Sequence, residues 1–336
     1  MTVRLGINGF GRMGRALFRI ADRTDLGLEV VAVNDLAPPE VLGRLLARDS
    51  VYGRYWLPVH IEDGIMVLGE RRVQMLARAE ISELPWKELG VDVVVEATGH
   101  FTARDAAAAH LEAGAPRVVV SAPSNGADIT IVIGVNEQDF DPAVHRVISN
   151  ASCTTNCLAV LAKVLDDAFS IEDGFVTTVH AYTGGQRLVD SVHKDPRRSR
   201  AAAINIIPTS TGAAKTTGLV LPALSGRLDA VALRVPVVDG SITDLVASVH
   251  ATPSVQEIKD AYREAASGHL ERELEYSEEP LVSTDIIGSE ASCVFDASLT
   301  MAHGRMVKVF GWYDNEWGYA NRLAELTAKV GSAPLP

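Results

Sequence analysis

The run Val3-Arg4-Leu5-Gly6-Ile7 leads straight into Gly9-Phe10-Gly11-Arg12-Met13-Gly14, and helical periodicity begins at Arg12. Few local patterns restrict a fold more. Glycines at these places permit a tight turn, backbone approach to a pyrophosphate, and close packing of helix on strand. A helix starting there aims free N–H groups and its positive dipole end at whatever the turn holds. Such turns also occur without a ligand, so a second feature matters. The next apolar run ends Val33-Asn34-Asp35, which puts Asp35 21 residues past Gly14. A carboxylate there accepts from both ribose hydroxyls of a dinucleotide and repels a 2′-phosphate, favouring NAD, with NADP secondary. The bland role for Asp35, a helix cap before Pro38-Pro39, leaves the strand and glycines unexplained.

The rest of the first half keeps the same texture. Val3–Ile7, Leu28–Val33, Val91–Glu96, Arg117–Ser121 and Val147–Ser149 read as strands, and Arg12–Asp22, Pro39–Arg48 and Ala103–Ala113 as helices. That alternation predicts a parallel sheet covered on both faces. After Cys153 a helix is expected from Thr154 to Phe169, with Cys157, Leu158, Leu161, Val164, Leu165 and Ala168 on its core stripe. Longer strands follow at Phe175–His180, Leu228–Val235, Ser241–Val249, Ser292–Leu299 and Met306–Trp312, with helices near Val255–Ser267 and Trp317–Val330. They suit a mostly antiparallel sheet. The change places a boundary near residue 150: a first domain over 1–152, completed by a C-terminal helix of about 317–336, and a second over 153–316.

With 336 residues, 47% apolar and 22% charged, the chain is long enough for two cores. Its 31 basic and 43 acidic residues give a net charge of −12, which excludes nucleic acid or an anionic membrane as main partner. No signal-peptide pattern opens the sequence and no apolar window is long enough to span a bilayer, so a cytoplasmic protein is expected. Cys153, Cys157 and Cys293 are too few for a disulfide framework, and no zinc template is present.

The cysteines therefore need another role. Cys153 sits between a strand end and a helix start, where the positive helix end is expected to lower its thiol pKa. A lone cysteine there is as well explained as a small buried side chain, and that account suits Cys157, one turn further in. A nucleophile needs a base. Among nine histidines, His180 alone closes a strand, Thr177-Thr178-Val179-His180, bordered by a loop of hydroxyls and glycines. An isolated histidine is more often structural, but Thr183, Arg197-Arg198-Ser199-Arg200, Pro208-Thr209-Ser210-Thr211-Gly212 and Arg234 follow. Hydroxyls, glycine N–H groups and guanidinium forks in an acidic chain point to a phosphorylated substrate.

At these residues the sequence resembles the phosphorylating glyceraldehyde-3-phosphate dehydrogenases, almost end to end. INGFGRMGR at 7–15, SNASCTTNCLA at 149–159, HAYT at 180–183, STGAAK at 210–215, RVPV at 234–237 and WYDNEWGY at 312–319 carry the likeness. The resemblance implies an α/β protein, with a Rossmann-type doubly wound parallel sheet and an α+β catalytic domain. It implies Cys153 as nucleophile and His180 as base, Thr183 and Arg234 for the substrate phosphate, and Ser152, Thr154, Arg198, Thr211 and Gly212 for attacking inorganic phosphate. Gly9, Phe10, Gly11, Arg12, Met13, Asp35, Arg78, Thr98, Ser121 and Asn315 match cofactor contacts. The implied reaction oxidises glyceraldehyde 3-phosphate to an acyl phosphate in a homotetramer, through a cysteine hemithioacetal and thioester.

Four places depart from the family pattern. Gly184-Gly185 replace a common Asn-Asp and are expected to loosen their loop. Val160 replaces a common proline, Ser191-Val192 replace the Leu-Pro frequent in NAD-specific members, and Ala79 stands where an arginine is usual, beside Arg78. Erythrose-4-phosphate dehydrogenase is the nearest rival activity, although HAYT and STGAAK favour the triose. An NAD-binding regulator without catalysis would be expected to lack Cys153 or His180, and both are present.

Overall fold

The structure is a computed structural model that describes residues 2–334. It divides into two compact units. The first comprises the described residues up to Ile131, Glu137–Ala151 and those from Ala320 onward; the second comprises Val132–Asn136 and Ser152–Tyr319.

The first unit is built on β1 (Val3–Asn8), α1 (Arg12–Arg23), β2 (Leu28–Asn34), α2 (Pro39–Ala47), β3 (His60–Glu62), β4 (Ile65–Leu68), β5 (Arg71–Leu76), β6 (Val93–Glu96), α3 (Arg104–Ala107), α4 (Ala109–Glu112), β7 (Val118–Val120), β8 (Ile129–Thr130) and β9 (Val147–Ser149). The strands form one sheet in the order β8-β9-β7-β6-β1-β2-β5-β4-β3. Pairing is parallel from β8 to β5 and antiparallel at the β5-β4-β3 edge. The winding direction reverses at β1, and in open α/β sheets that is where ligands bind. Register brings Asn8, Asn34 and Glu96, the last residues of β1, β2 and β6, side by side.

The helix expected over Ala103–Ala113 is two short helices joined at Ala108. The Leu111 N–H donates to the Ala108 carbonyl, three residues back, which tightens the turn. The tightened turn seats the fully buried His110 between Trp86 Nε1 at 3.0 Å and Glu96 Oε2 at 3.1 Å.

The second unit contains α5 (Cys153–Phe169), β10 (Ile171–Ala181), β11 (Ile207–Ser210), α6 (Ala213–Val220), β12 (Leu228–Val235), β13 (Ser241–Val249), α7 (Val255–Ala266), β14 (Leu274–Ser277), β15 (Cys293–Asp296), β16 (Met301–His303) and β17 (Met306–Tyr313). Its sheet runs β11-β12-β10-β13-β17-β15-β14, with β16 paired to β17. Five pairings are antiparallel. β10–β12 and β14–β15 are parallel, so the sheet is mixed. The strand expected over Ser292–Leu299 stops at Asp296, whose carboxylate accepts from the Ser298 N–H at 3.1 Å and turns the chain into a short 3₁₀ helix.

Helix α5 buries Cys157, Leu158, Leu161, Val164 and Leu165 against one face of this sheet. Ala168, predicted on that stripe, is exposed where the last turn runs past the sheet. The opposite face is less covered: Phe175 is 73% exposed and Val231 48%. The last helix, α8 (Trp317–Ser332), enters the first unit at Ala320. There Arg117, buried, donates to the carbonyls of Val330 and Ala333 at 3.0 and 2.9 Å. Residues 335 and 336 of the expected terminal helix lie outside the described residues. Among the described residues no helix is long and apolar enough to cross a membrane.

Candidate active site

The glycine turn does three separate jobs. Gly9 has φ +95, and a Cβ there would lie 2.6 Å from the Thr98 nitrogen. A Cβ on Gly14 would sit 2.1 Å from the Gly9 carbonyl oxygen, so this glycine lets α1 start against the turn. Gly11 has nothing within 4 Å of its missing Cβ and opens onto a cavity of about 320 Å³. Gly9, Gly11, Asp35, Arg78 and Thr98 line that cavity. Asp35 is anchored there by the N–H groups of Phe10 at 2.8 Å and Ala37 at 3.0 Å. The helix-cap role weighed for it is not found: α2 has Pro38 at its N-cap position and no side-chain cap, and Asp35 instead turns the chain through Ala37.

The other predicted cofactor contacts lie apart from this lining. Phe10 turns its ring into the core, edge-on to Phe18, so only its backbone faces the turn. Arg12 donates to Asp49 at 2.5 Å. Met13 is half-buried on the first turn of α1, and the Ser121 N–H donates to the Glu96 carbonyl. Asn315 belongs to the second unit, where its side-chain carbonyl accepts from Ser241 at 2.6 Å.

Sequence reasoning missed the polar layer beneath the cavity. Asn34 donates to Asn8 at 2.7 Å, Asn8 to Glu96 at 2.6 Å, and Glu96 accepts from the Thr98 N–H at 2.8 Å. Asn34 also receives the Arg78 N–H at 2.8 Å. The layer thereby holds two loops that line the cavity. Its signal was visible, since a polar residue closes each of three apolar strands.

In the second unit, α5 begins at Cys153 with Ser152 as N-cap, its hydroxyl accepting from Thr155 N–H at 3.1 Å. Ala151 just before it has φ +56, a strained position for a residue with a Cβ. Cys153 Sγ lies 3.4 Å from His180 Nε2. Parallel pairing of β10 with β12 sets His180 beside Arg234, whose Nη1 is 2.6 Å from His180 Nδ1. Behind the pair, the buried Tyr313 hydroxyl joins those of Thr154 at 2.9 Å and Thr178 at 2.7 Å.

The electrostatics correct one expectation. Burial of the Cys153 thiol pushes its pKa up, to about 11, against the pull of Arg234 and of the helix-end N–H groups. Burial and the Arg234 charge together pull His180 down, to about 3. A thiolate made by the helix end alone is therefore disfavoured: desolvation outweighs the dipole. A charge on sulfur needs a proton acceptor in contact, and His180 is the group at that distance. Cys157 and Cys293 are fully buried away from this pair, with Cys157 Sγ against the Gly311 carbonyl at 3.5 Å.

The predicted anion binders are placed as follows. Arg198 donates to Thr209 at 2.8 Å, and its charge is felt at Arg234. Thr211 and Gly212 form the start of α6, with the Thr211 hydroxyl accepting from the Ala213 N–H at 3.2 Å. Exposed Thr183, two residues past β10, donates to Gln186. Gly184 and Gly185 do not have positive φ, and no clash awaits a side chain at either, so the backbone does not require glycine there.

Comparison with known proteins then becomes decisive. Residues 3–104 match the model described as glyceraldehyde 3-phosphate dehydrogenase, NAD binding domain, and residues 152–315 that of its C-terminal domain. A Streptomyces arenae protein named glyceraldehyde-3-phosphate dehydrogenase 2 is 56% identical over 99% of this chain and 100% of its own length. The chain belongs to the glyceraldehyde-3-phosphate dehydrogenase family. The Geobacillus stearothermophilus glyceraldehyde-3-phosphate dehydrogenase is 52% identical over 100% of both chains, and that of Mycolicibacterium smegmatis 51% over 99% and 100%. As in the family, the cofactor assigned to the first unit is NAD.

Proposed function

We propose that this protein oxidises and phosphorylates D-glyceraldehyde 3-phosphate to 1,3-bisphosphoglycerate, with Cys153 as nucleophile and His180 as acid–base. The observation that carries the reading is the 3.4 Å approach of Sγ to Nε2 at a helix N-terminus, with Arg234 against the same ring. The cavity beside Gly11 fits NAD, because its glycine turn leaves room only where a ligand would lie and Asp35 closes it. Gly9, Phe10 through its backbone, Gly11, Asp35, Arg78 and Thr98 would hold the dinucleotide, with Arg12, Met13, Ser121 and Asn315 as further contacts. Bound there, NAD supplies a hydride acceptor.

Cys153 Sγ adds to the aldehyde carbon as its proton passes to Nε2, which returns it to the carbonyl oxygen. His180 then takes that hydroxyl proton as the carbon is oxidised, leaving a thioester on Cys153. Inorganic phosphate attacks the thioester carbon, the C–S bond breaks, and the acyl phosphate leaves. Thr183 and Arg234 would take the substrate phosphate. Ser152, Thr154, Arg198, Thr211 and Gly212 would take the attacking one.

Residues 1–152 with the terminal helix would be the NAD-binding domain and 153–316 the catalytic domain. A cytoplasmic homotetramer is the form this reading assigns. Its support is the half-covered sheet face and a loop with Leu188 82%, Val192 90% and Ile204 79% exposed, too much apolar surface for a lone subunit. Initial rates with glyceraldehyde 3-phosphate and erythrose 4-phosphate, with and without phosphate and with either cofactor, test the assignment. Phosphate-dependent NAD reduction with the triose supports it. Preference for the tetrose, or turnover indifferent to phosphate, overturns it.

A further inference from the structure

Arg198 is held at one end of its guanidinium and free at the other. Its Nε donates to the Thr209 hydroxyl at 2.8 Å, while neither terminal nitrogen has a partner among the described residues. Those two nitrogens form a planar fork that matches two oxygens of a phosphate. A long side chain at the surface ordinarily samples many rotamers, so an arginine held at Nε alone is unusual. The group that holds it deserves a role.

Thr209 is well placed for one. It is buried on β11, which pairs antiparallel with β12, Ile207 opposite Arg234 and Thr209 opposite Ala232. The sheet therefore fixes the Thr209 oxygen relative to Arg234, and the same strand runs on into Thr211 and Gly212. Asp195 sets the direction of the hydroxyl, because its Oδ2 accepts the Thr209 proton at 3.3 Å. With the proton committed there, a lone pair is left for the guanidinium. Asp195 cannot hold the arginine by itself. Its Oδ2 lies 3.8 Å from Arg198 Nε, beyond hydrogen-bond distance, and water screens a pair that is 30% and 34% exposed. The Arg197 N–H, at 2.8 Å, holds the carboxylate in turn, pulling its pKa down and keeping it an acceptor. The charge of Arg198 is felt at Arg234, so the free fork lies within electrostatic reach of the thiol site.

We propose that Thr209 is a positioning residue for phosphorolysis: with Asp195 it aims Arg198 so that both terminal nitrogens meet the attacking phosphate. The inference rests on Arg198 serving that phosphate, as in the function proposed above. Ordering the guanidinium before the anion arrives removes an entropy loss that binding would otherwise carry. Thr209 acts through the arginine and needs no contact with a reactant. No step before the thioester uses the attacking phosphate, so the effect is confined to discharge of the thioester.

The test uses the full-length enzyme loaded with NAD+ and reads the two stages apart. A rapid burst of NADH with glyceraldehyde 3-phosphate and no phosphate reports formation of the thioester. Steady-state rates at varied inorganic phosphate report its discharge. Thr209→Val keeps the branched shape and removes the oxygen. It should lower kcat/KM for inorganic phosphate roughly three- to tenfold, the worth of one hydrogen bond, with the burst rate unchanged. Thr209→Ser keeps the oxygen and should restore the value for phosphate. A burst slowed in step with discharge in Thr209→Val would mean that the hydroxyl supports the whole site, which overturns the proposal. So would a value for phosphate that Thr209→Ser fails to restore, or one unmoved in Thr209→Val while Arg198→Leu lowers it. If Arg198→Leu itself leaves that value unmoved, the reading of Arg198 fails and the positioning role falls with it.

Discussion

The two candidate sites are made in different ways. The dinucleotide cradle is mostly backbone: a strand, a glycine turn and a helix within residues 3–23, closed by one carboxylate on the next strand. The thiol site is made of side chains. Cys153, His180, Arg234 and Tyr313 come from four distant stretches, joined by strand register and a helix start. A backbone site tolerates changes of side chain and fails when a Cβ is added at the wrong glycine. A side-chain site fails when one group is lost, with the fold intact.

The largest effect should come from the thiol site. Cys153→Ala should lower kcat/KM at least about 10⁴-fold, as removal of a nucleophile does, while NAD binding by fluorescence titration stays normal. Weakened NAD binding in that variant would join the two sites that this comparison separates. His180→Asn should cost roughly 10²–10⁴-fold in kcat, the range for a lost acid–base group. It should also move the pH midpoint of Cys153 alkylation upward, because burial then acts on the thiol with no proton acceptor in contact. An unchanged midpoint would mean that the imidazole does not carry the thiol proton.

Two glycines sharpen the other half. Gly14→Ala forces a Cβ to 2.1 Å from the Gly9 carbonyl, so it should destabilise by about 1–3 kcal/mol in urea melts and impair NAD binding. Gly11→Ala meets nothing within 4 Å, so it should leave the melt unchanged and weaken NAD alone. Equal melting penalties for the two would show that the cavity at Gly11 is filled by protein.

Asp35→Ala should narrow the preference for NAD+ over NADP+, expected to be at least about tenfold in kcat/KM, or about 1.4 kcal/mol. A preference untouched by the substitution would place the discrimination elsewhere, with Ser191-Val192 the next segment to examine. Smallest of all, Gly184→Asn should shift stability by no more than about 0.5 kcal/mol, since neither φ nor space demands glycine.

Legibility follows the same division. The strand–turn–helix, the boundaries of β9, β12 and β13, and the core stripe of α5 up to Leu165 could be read from periodicity. Their apolar spacing expresses a local preference that the fold does not contradict. The break at Ala108 was not legible, because it arises when His110 reaches a buried carboxylate fourteen residues earlier in the chain. Nor was the end of β15, where one carboxylate captured the next turn.

The sequence by itself determined that a dinucleotide cradle would form, which glycines would make it, and which cysteine stands at a helix start. Those properties depend on neighbours along the chain, where loop-closure entropy is small. The sequence singled out His180 among the nine histidines, but only the tertiary structure decided that its Nε2 meets Cys153 Sγ and that Arg234 shares its ring. It also decided the sign of the thiol's shift. The helix end that should lower the pKa is visible in the sequence, but the desolvation that raises it comes from the protein assembled around the sulfur.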